Sequence, residues 1–158
     1  MKFFDDLSVG ERYELGSHTF AAADIKTFAA RYDPQPFHVD EEAAARSHFG
    51  RLCASGWHVG AVCMRLIALS SQRTAQSLRA RGEDVPNVGP SPGVRDLRWL
   101  RPVYAGDTVS YVQEIKELRP AKRPGYGLVI SSTTGTNQAG ELVYSATGAV
   151  FVERRTRT

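Results

Sequence analysis

An apolar segment near the middle of the chain limits the possible folds more than any other feature. Residues 57–69 place apolar side chains in nearly every direction of a helical wheel, and Arg65 is the one charged residue among them. A helix that is apolar on all sides must be covered on all sides. The segment is also shorter than the roughly 20 apolar residues that a membrane span needs. We therefore expect a central helix inside a protein core, with a polar continuation that ends at Gly82.

Strand-like alternation surrounds this helix in the sequence. One run precedes it and four follow it, at residues 12–20, 94–100, 108–118, 126–137 and 141–152. Two helical segments, at residues 21–32 and 40–48, lie between the first run and the central helix. One strand, then helices, then four strands in meander order predict an α+β fold, in which an antiparallel sheet of about five strands wraps the central helix.

Length and composition set broad limits on the class of protein. The 158 residues are 42% hydrophobic and 23% charged, which predicts one ordinary globular domain over residues 1–158. The start of the chain lacks the long apolar core of a signal peptide, so we expect a cytoplasmic location without membrane association. A net charge of +3 is too small to indicate nucleic-acid binding, although it suits an acidic ligand.

Cysteine and histidine spacing gives no indication of a metal site or a disulfide. Cys53 and Cys63 lie in or beside the same apolar helix, where we expect buried, unpaired side chains. His38, His48 and His58 recur every ten residues, a spacing that matches no compact set of metal ligands. We expect no metal, and we expect His48 and His58 at the surface or at an interface.

The segment from Gly82 to Gly93 contains three prolines and three glycines and is the one long loop that we expect. The sequence leaves two interpretations open, a mobile flap or a crossover connection.

A carboxylate and an imidazole, Asp33 and His38, lie five positions apart on a connection stiffened by Pro34 and Pro36. Such a pair can hold a water between an acceptor and an imidazole and can move a proton to and from it. The alternative is structural, with an aspartate that ends a helix and a histidine bonded in a turn. Asp40 is the expected N-cap of the next helix.

The start of the central helix is a second candidate site. Its first backbone N–H groups have no partner within the helix, and Gly56 has no side chain to block a ligand carbonyl. Gly56 is therefore a candidate oxyanion donor, unless it is only a packing glycine. We also expect Ser55 and Trp57 to contact substrate, with a helix cap for Ser55 and a core position for Trp57 as the alternatives. No G-x-S-x-G motif surrounds Ser55, which argues against a nucleophile.

These residues belong to a longer pattern that resembles the MaoC-like dehydratase family, whose better-known members are (R)-specific enoyl-CoA hydratases. The family signature is an aspartate, an Asn-Pro pair and a histidine five residues after the aspartate, and this chain has Gln35 in place of the asparagine. The matching stretches are Asp33-Pro-Gln-Pro-Phe-His38-Val-Asp40, Phe49-Gly50, Ala54-Ser55-Gly56-Trp57, Arg101-Pro-Val-Tyr-Ala-Gly-Asp107 and Asn137-Gln-x-Gly-Glu141.

The resemblance implies a hotdog fold and a lyase that needs no cofactor. The implied reaction is reversible hydration of a 2-enoyl thioester to an (R)-3-hydroxyacyl thioester of coenzyme A or acyl carrier protein. Asp33 and His38 would handle the water, and the Gly56 N–H would polarise the thioester carbonyl. Family members pair through a shared site, which implies a homodimer or a higher homo-oligomer.

Two other functions are compatible with the same sequence. One is an acyl-CoA thioesterase, because hotdog folds host that reaction too. The other is a non-catalytic subunit that binds an acyl thioester. Several basic residues could bind coenzyme A phosphates or could simply form a solvated strand face; they are Arg95, Arg98, Arg101, Lys122 and Arg123.

Overall fold

A long helix packs against one face of a five-stranded antiparallel sheet in the computed structural model, which describes residues 2–155. Met1 and residues 156–158 of the predicted domain lie outside this part. The helices are α1 (Ala22–Tyr32), α2 (Pro36–Val39), α3 (Glu41–Ala45) and α4 (Gly56–Ala80), after a single 3-10 turn at Phe4–Asp6. The strands are β1 (Arg12–Thr19), β2 (Gly93–Trp99), β3 (Thr108–Pro120), β4 (Tyr126–Asn137) and β5 (Leu142–Glu153).

The order of strands across the sheet is β1-β3-β4-β5-β2. Strands β3, β4 and β5 are neighbours in sequence and in space, but β2 pairs with β5, with Trp99 opposite Tyr144. The expected meander of all four strands is therefore wrong at β2. The predicted fold class is confirmed, because a five-stranded antiparallel sheet around one long helix is the hotdog arrangement.

The connection from α4 to β2 runs along the end of β5. Gly89 N–H donates to the Phe151 carbonyl at 2.8 Å, and Glu153 N–H donates to the Asn87 carbonyl at 3.0 Å. Val88 and Val152 form an isolated bridge between these bonds. These backbone hydrogen bonds support the crossover interpretation of residues 82–93.

Helix α4 is buried on one side only. Its buried side chains are His58, Val59, Val62, Cys63 and Leu66. The Tyr111 hydroxyl of β3 donates to the Val59 carbonyl at 3.1 Å, which ties the sheet to this face. Trp57 and Met64 are exposed. The expectation that α4 is covered all round is wrong within one chain, because a single sheet covers only one side of a helix.

His58 is buried inside the chain, contrary to the expected position at the surface or at an interface. Its ring stacks on Phe28, with ring centres 4.6 Å apart and planes 7° apart, and meets Phe20 edge-on. Burial lowers the pKa of His58, and nearby His18 lowers it further against the opposing charge of Asp24. The stack provides the apolar surroundings that a neutral imidazole tolerates.

His48 is exposed, and Cys53 and Cys63 are buried and unpaired, as the sequence predicts. No helix among residues 2–155 combines the length and the apolar character that a membrane span requires.

The elements between α1 and α4 place the polar pair. Pro36 begins the one-turn helix α2, where the proline ring fits because the first helical N–H needs no partner. This turn was not predicted, since the two prolines indicated an irregular connection. Asp40 caps α3 as expected, accepting from Ala43 N–H at 2.7 Å, but α3 ends at Ala45, three residues earlier than the predicted end at His48.

The segment after α3 is fixed to the loop before β3. Ala54 N–H donates to the Val103 carbonyl at 2.8 Å, and Ala105 N–H donates to the Leu52 carbonyl at 3.1 Å. These two bonds hold the backbone of Cys53 in place immediately before α4 begins.

Candidate active site

The side chains of Asp33 and His38 converge at the end of α1. Asp33 is the C-cap residue of α1, and its N–H donates to the Ala29 carbonyl at 2.9 Å. His38 lies in the one-turn helix α2, five residues after Asp33. The distance from Asp33 Oδ2 to His38 Nε2 is 3.5 Å, so one water placed beside the pair can hydrogen-bond to both atoms.

A backbone carbonyl fixes the orientation and the tautomer of His38. The ring is 6% exposed, and its Nδ1 lies 2.7 Å from the Cys53 carbonyl oxygen. Since a carbonyl oxygen only accepts, Nδ1 must carry the hydrogen. Whenever the ring is neutral, its lone pair is therefore on Nε2, which faces Asp33 and can accept a proton.

The Asp33 carboxylate accepts a hydrogen bond on each oxygen. Ser55 Oγ donates to Oδ2 at 2.6 Å, and Gln35 Nε2 donates to Oδ1 at 2.9 Å. Burial raises the pKa of Asp33, but the hydrogen bonds from Ser55 and Gln35 lower it, as does the charge of His38 when that ring is protonated, so the net pKa is lowered. Asp33 is therefore an ionised acceptor at neutral pH.

Ser55 caps α4 and also supports Asp33. Its hydroxyl donates to Asp33 and accepts from Trp57 N–H at 3.2 Å, and the residue is 1% exposed. The expected N-cap is thus present. The substrate contact predicted for Ser55 stays a prediction, and the structure directs its hydroxyl at Asp33.

The first residue of α4, Gly56, has an unpaired N–H and a covered α-carbon. Within residues 2–155, no acceptor receives a hydrogen bond from the Gly56 N–H. A Cβ atom at this position would clash with the indole of Trp99. We expected the missing side chain of Gly56 to leave room for a ligand, but the indole of Trp99 occupies that room. Gly56 is therefore required for packing, and its N–H is still a candidate donor.

Trp57 stands edge-on to Trp99, with ring centres 5.1 Å apart and planes 74° apart, and is 59% exposed. Its position at the rim of the cavity fits the predicted substrate contact better than the alternative core position, although the contact itself stays a prediction.

One cavity of about 450 Å³ joins these groups. Its volume is near the lower end of the range of roughly 300–1,000 Å³ that small-molecule sites occupy. The polar part of its lining is Asp33, Gln35, His38, the N-terminus of α4 at Gly56, and Arg101. The apolar part includes Phe37, Phe49, Trp57, Val59, Trp99, Leu100, Val103 and Val143. Asp33, His38 and Gly56 therefore face a common space.

Two of the lining residues that the sequence did not predict have specific contacts with the predicted ones. Gln35 was recognised only as a departure from the family signature, and the position two residues after Asp33 was the available signal for its contact. Trp99 is an isolated aromatic residue in a strand, and no local pattern indicates its contact with Gly56.

The basic residues do not form a cluster at this site. Of the five considered, only Arg101 lines the cavity, and it pairs with Glu141 at 3.4 Å. Across residues 2–155, no three side chains of histidine, cysteine, aspartate or glutamate come together as a set of metal ligands.

Comparison with known proteins decides the family. The model of the MaoC like domain matches residues 6–136. The chain belongs to this family. The match covers the catalytic candidates and most of the sheet, so the resemblance seen in the sequence is confirmed.

Proteins similar to this chain include named hydratases and dehydratases. A MaoC-like dehydratase from Rhodospirillum rubrum is 37% identical, with a TM-score of 0.81 over 99% of this chain and 100% of that chain. An R-hydratase from Pseudomonas aeruginosa is 26% identical, with a TM-score of 0.65 over 97% of this chain and 86% of that chain. A 3-hydroxybutyryl-CoA dehydratase from Methylorubrum extorquens is 28% identical over 122 residues, covering 77% of this chain and 68% of the relative.

The contact between Gly56 and Trp99 gives a prediction about stability. Gly56→Ala must displace the indole, and we expect it to lower the free energy of unfolding by about 1–3 kcal/mol, as overpacking does. The matched control is Gly60→Ala in the same helix, where the new methyl group would lie 3.9 Å from Tyr144. That control should stabilise the protein by roughly 0.5–1 kcal/mol, because alanine is the better helix former. Urea unfolding measures both, and equal effects would contradict the packing role.

Proposed function

We propose that the protein is a hydro-lyase that reversibly hydrates a 2-enoyl-CoA thioester to a 3-hydroxyacyl-CoA thioester. The observation that carries the proposal is the convergence of an ionised carboxylate and a directed imidazole, 3.5 Å apart, on the cavity that the N-terminus of α4 also lines. The named activities of the similar proteins support this chemistry.

Asp33 and His38 divide the work on the water. The carboxylate accepts one hydrogen of the water in a hydrogen bond, and Nε2 of His38 accepts the other hydrogen as a proton. The water oxygen then forms a bond to the β-carbon of the enoyl group, and the C=C electron pair moves toward the carbonyl. His38 next delivers its proton to the α-carbon, so the elements of water are added to one face of the double bond.

The N-terminus of α4 stabilises the intermediate. As the double-bond electrons move, negative charge builds up on the thioester oxygen, and the Gly56 N–H is the donor available to it. Backbone donors fixed before the reaction act strongly in a site that excludes water. The positive end of the dipole of a 25-residue helix adds to this effect.

Several details of the proposal go beyond the chemistry of the site. We propose R configuration for the product, coenzyme A as the carrier in preference to acyl carrier protein, and no cofactor besides the thioester substrate. The R configuration follows the name of the similar Pseudomonas aeruginosa hydratase. Coupling the product to an R-specific 3-hydroxyacyl-CoA dehydrogenase tests it, since an S product would give no signal.

Replacing the polar pair tests the assignment of roles. We expect Asp33→Asn and His38→Gln each to lower kcat for hydration of crotonyl-CoA by about 10²–10⁴-fold, because each removes one half of the proton transfer. The double variant should be little worse than either single variant, since the residues act as a unit. The measurement is the loss of enoyl absorbance, with free thiol assayed in parallel.

A matched control and alternative outcomes complete this experiment. Asp84→Asn changes an exposed residue outside the lining of the cavity and should leave kcat unchanged. Release of free thiol by the wild type would identify a thioesterase instead. Tight binding of acyl-CoA without turnover would identify a binding subunit.

We further propose that the protein is a homodimer or a higher homo-oligomer. Strand β2 forms one edge of the sheet, and six of its seven residues are exposed, including Val94 at 60%. The exposed face of α4 carries Met64, and a sheet edge with open hydrogen-bonding groups favours pairing with another chain. A second copy would also cover the side of α4 that the sheet leaves open.

Charges placed on this surface should dissociate the oligomer. We expect Met64→Lys and Val94→Lys to give a monomer in size-exclusion chromatography with light scattering, where the wild type gives a dimer or larger. The control is Val9→Lys, at a valine that is equally exposed, 62%, and outside both elements. A monomeric wild type would contradict the proposal.

A further inference from the structure

Gln35 contacts Asp33 through both its main chain and its side chain, and only the side chain reaches the carboxylate. Its Nε2 donates to Asp33 Oδ1 at 2.9 Å, and its backbone N–H donates to the Asp33 carbonyl at 2.8 Å. Asparagine is the usual residue at this position of the family signature, so the contact belongs to the part of the site in which this chain departs from its family.

The two oxygens of Asp33 have different partners. Oδ2 accepts from Ser55 and faces His38, and Oδ1 accepts from Gln35. The terminal torsion of an aspartate is broad and roughly two-fold, so a bond to one oxygen alone leaves the plane of the carboxylate free to rotate. Bonds on both oxygens fix that plane.

The backbone around Gln35 is itself restrained. Pro34 and Pro36 flank it, and a residue that precedes proline is confined to extended conformations. The observed angles, φ −74° and ψ 142°, lie in that region. The side chain of Gln35 therefore starts from a fixed point and needs only its own torsions to reach Asp33.

The three groups that act on the charge of Asp33 come from two elements, α2 and α4, with their N-cap residues. Ser55 precedes α4, Gln35 precedes α2, and His38 is the titratable group that faces the carboxylate from α2. Burial opposes all three by raising the pKa of Asp33. Loss of the Gln35 donor would therefore let the pKa of Asp33 rise.

We propose that Gln35 is a positioning residue, whose side-chain amide holds the plane of the Asp33 carboxylate so that Oδ2 stays directed at His38 and at a water bound beside the pair. The role rests on the hydration function proposed above.

Two variants of nearly the same shape test this role. Gln35→Met keeps the length of the side chain and removes the donor, and Gln35→Glu keeps the shape and puts a second negative charge beside Asp33. The side chain is exposed, so both variants should fold. We expect kcat/KM for crotonyl-CoA to fall by about tenfold in Gln35→Met and further in Gln35→Glu, with most of the loss in kcat.

The pH dependence separates positioning from a general structural effect. Activity requires the Asp33 carboxylate, so a higher pKa of this group moves the acidic limb of the kcat/KM profile to higher pH. We expect that shift in Gln35→Met and a larger one in Gln35→Glu. Gln72→Ala, on the exposed part of α4, should change neither the rate nor the profile.

A measurement that does not depend on turnover keeps the two proposals distinguishable. Carbon-13 NMR titration of the Asp33 carboxyl group, assigned by its loss in Asp33→Asn, should show the pKa rising in both Gln35 variants. Unchanged titration and an unchanged rate profile would overturn the positioning role. A wild type without hydratase activity would overturn the proposed function, while the titration would still decide whether Gln35 controls Asp33.

Discussion

The hydrogen bond between His38 Nδ1 and the Cys53 carbonyl is the interaction on which the site depends. It fixes the ring, selects the tautomer and leaves Nε2 to face Asp33. The carbonyl is itself fixed, because the bonds of Ala54 to Val103 and of Ala105 to Leu52 hold the Cys53 backbone against the loop before β3. The loop before β3 thus determines the direction of His38 Nε2 through one segment of main chain.

The residues at the start of α4 both begin the helix and form part of the candidate site. Ser55 caps the helix and holds Asp33 with the same hydroxyl, so the helix begins where the carboxylate must lie. Gly56 then offers an unpaired N–H beside the cavity and leaves room for the indole of Trp99. A larger residue at position 56 would displace Trp99, which forms part of the cavity wall, and would change the shape of the site.

The features that could be predicted from the sequence are those that local chemistry determines. Helix α1, the cap at Asp40 and the end of α4 before Gly82 follow from periodicity, capping and glycine conformation over a few residues. Asp33 and His38 followed from spacing and from a family pattern that covers most of the chain.

The features that could not be predicted from the sequence depend on contacts between segments that are far apart in the chain. The pairing of β2 with β5, the burial of His58 and the contact of Trp99 with Gly56 join residues far apart in the chain. The Cys53 carbonyl is a main-chain group that every residue carries, so no pattern of side chains can reveal its role. The exposure of one side of α4 could not be predicted either. A helical wheel shows which side chains are apolar, but it does not show whether the same chain covers all of them.

We propose that Asp33, His38 and Gly56 act together on one acyl thioester. The decisive measurement is a crystal structure of the protein with 3-hydroxybutyryl-CoA bound. We expect the 3-hydroxyl oxygen within hydrogen-bonding distance of both the Asp33 carboxylate and His38 Nε2, and the thioester oxygen accepting from the Gly56 N–H. An acyl group bound outside the cavity, or a thioester oxygen directed away from the start of α4, would contradict the account.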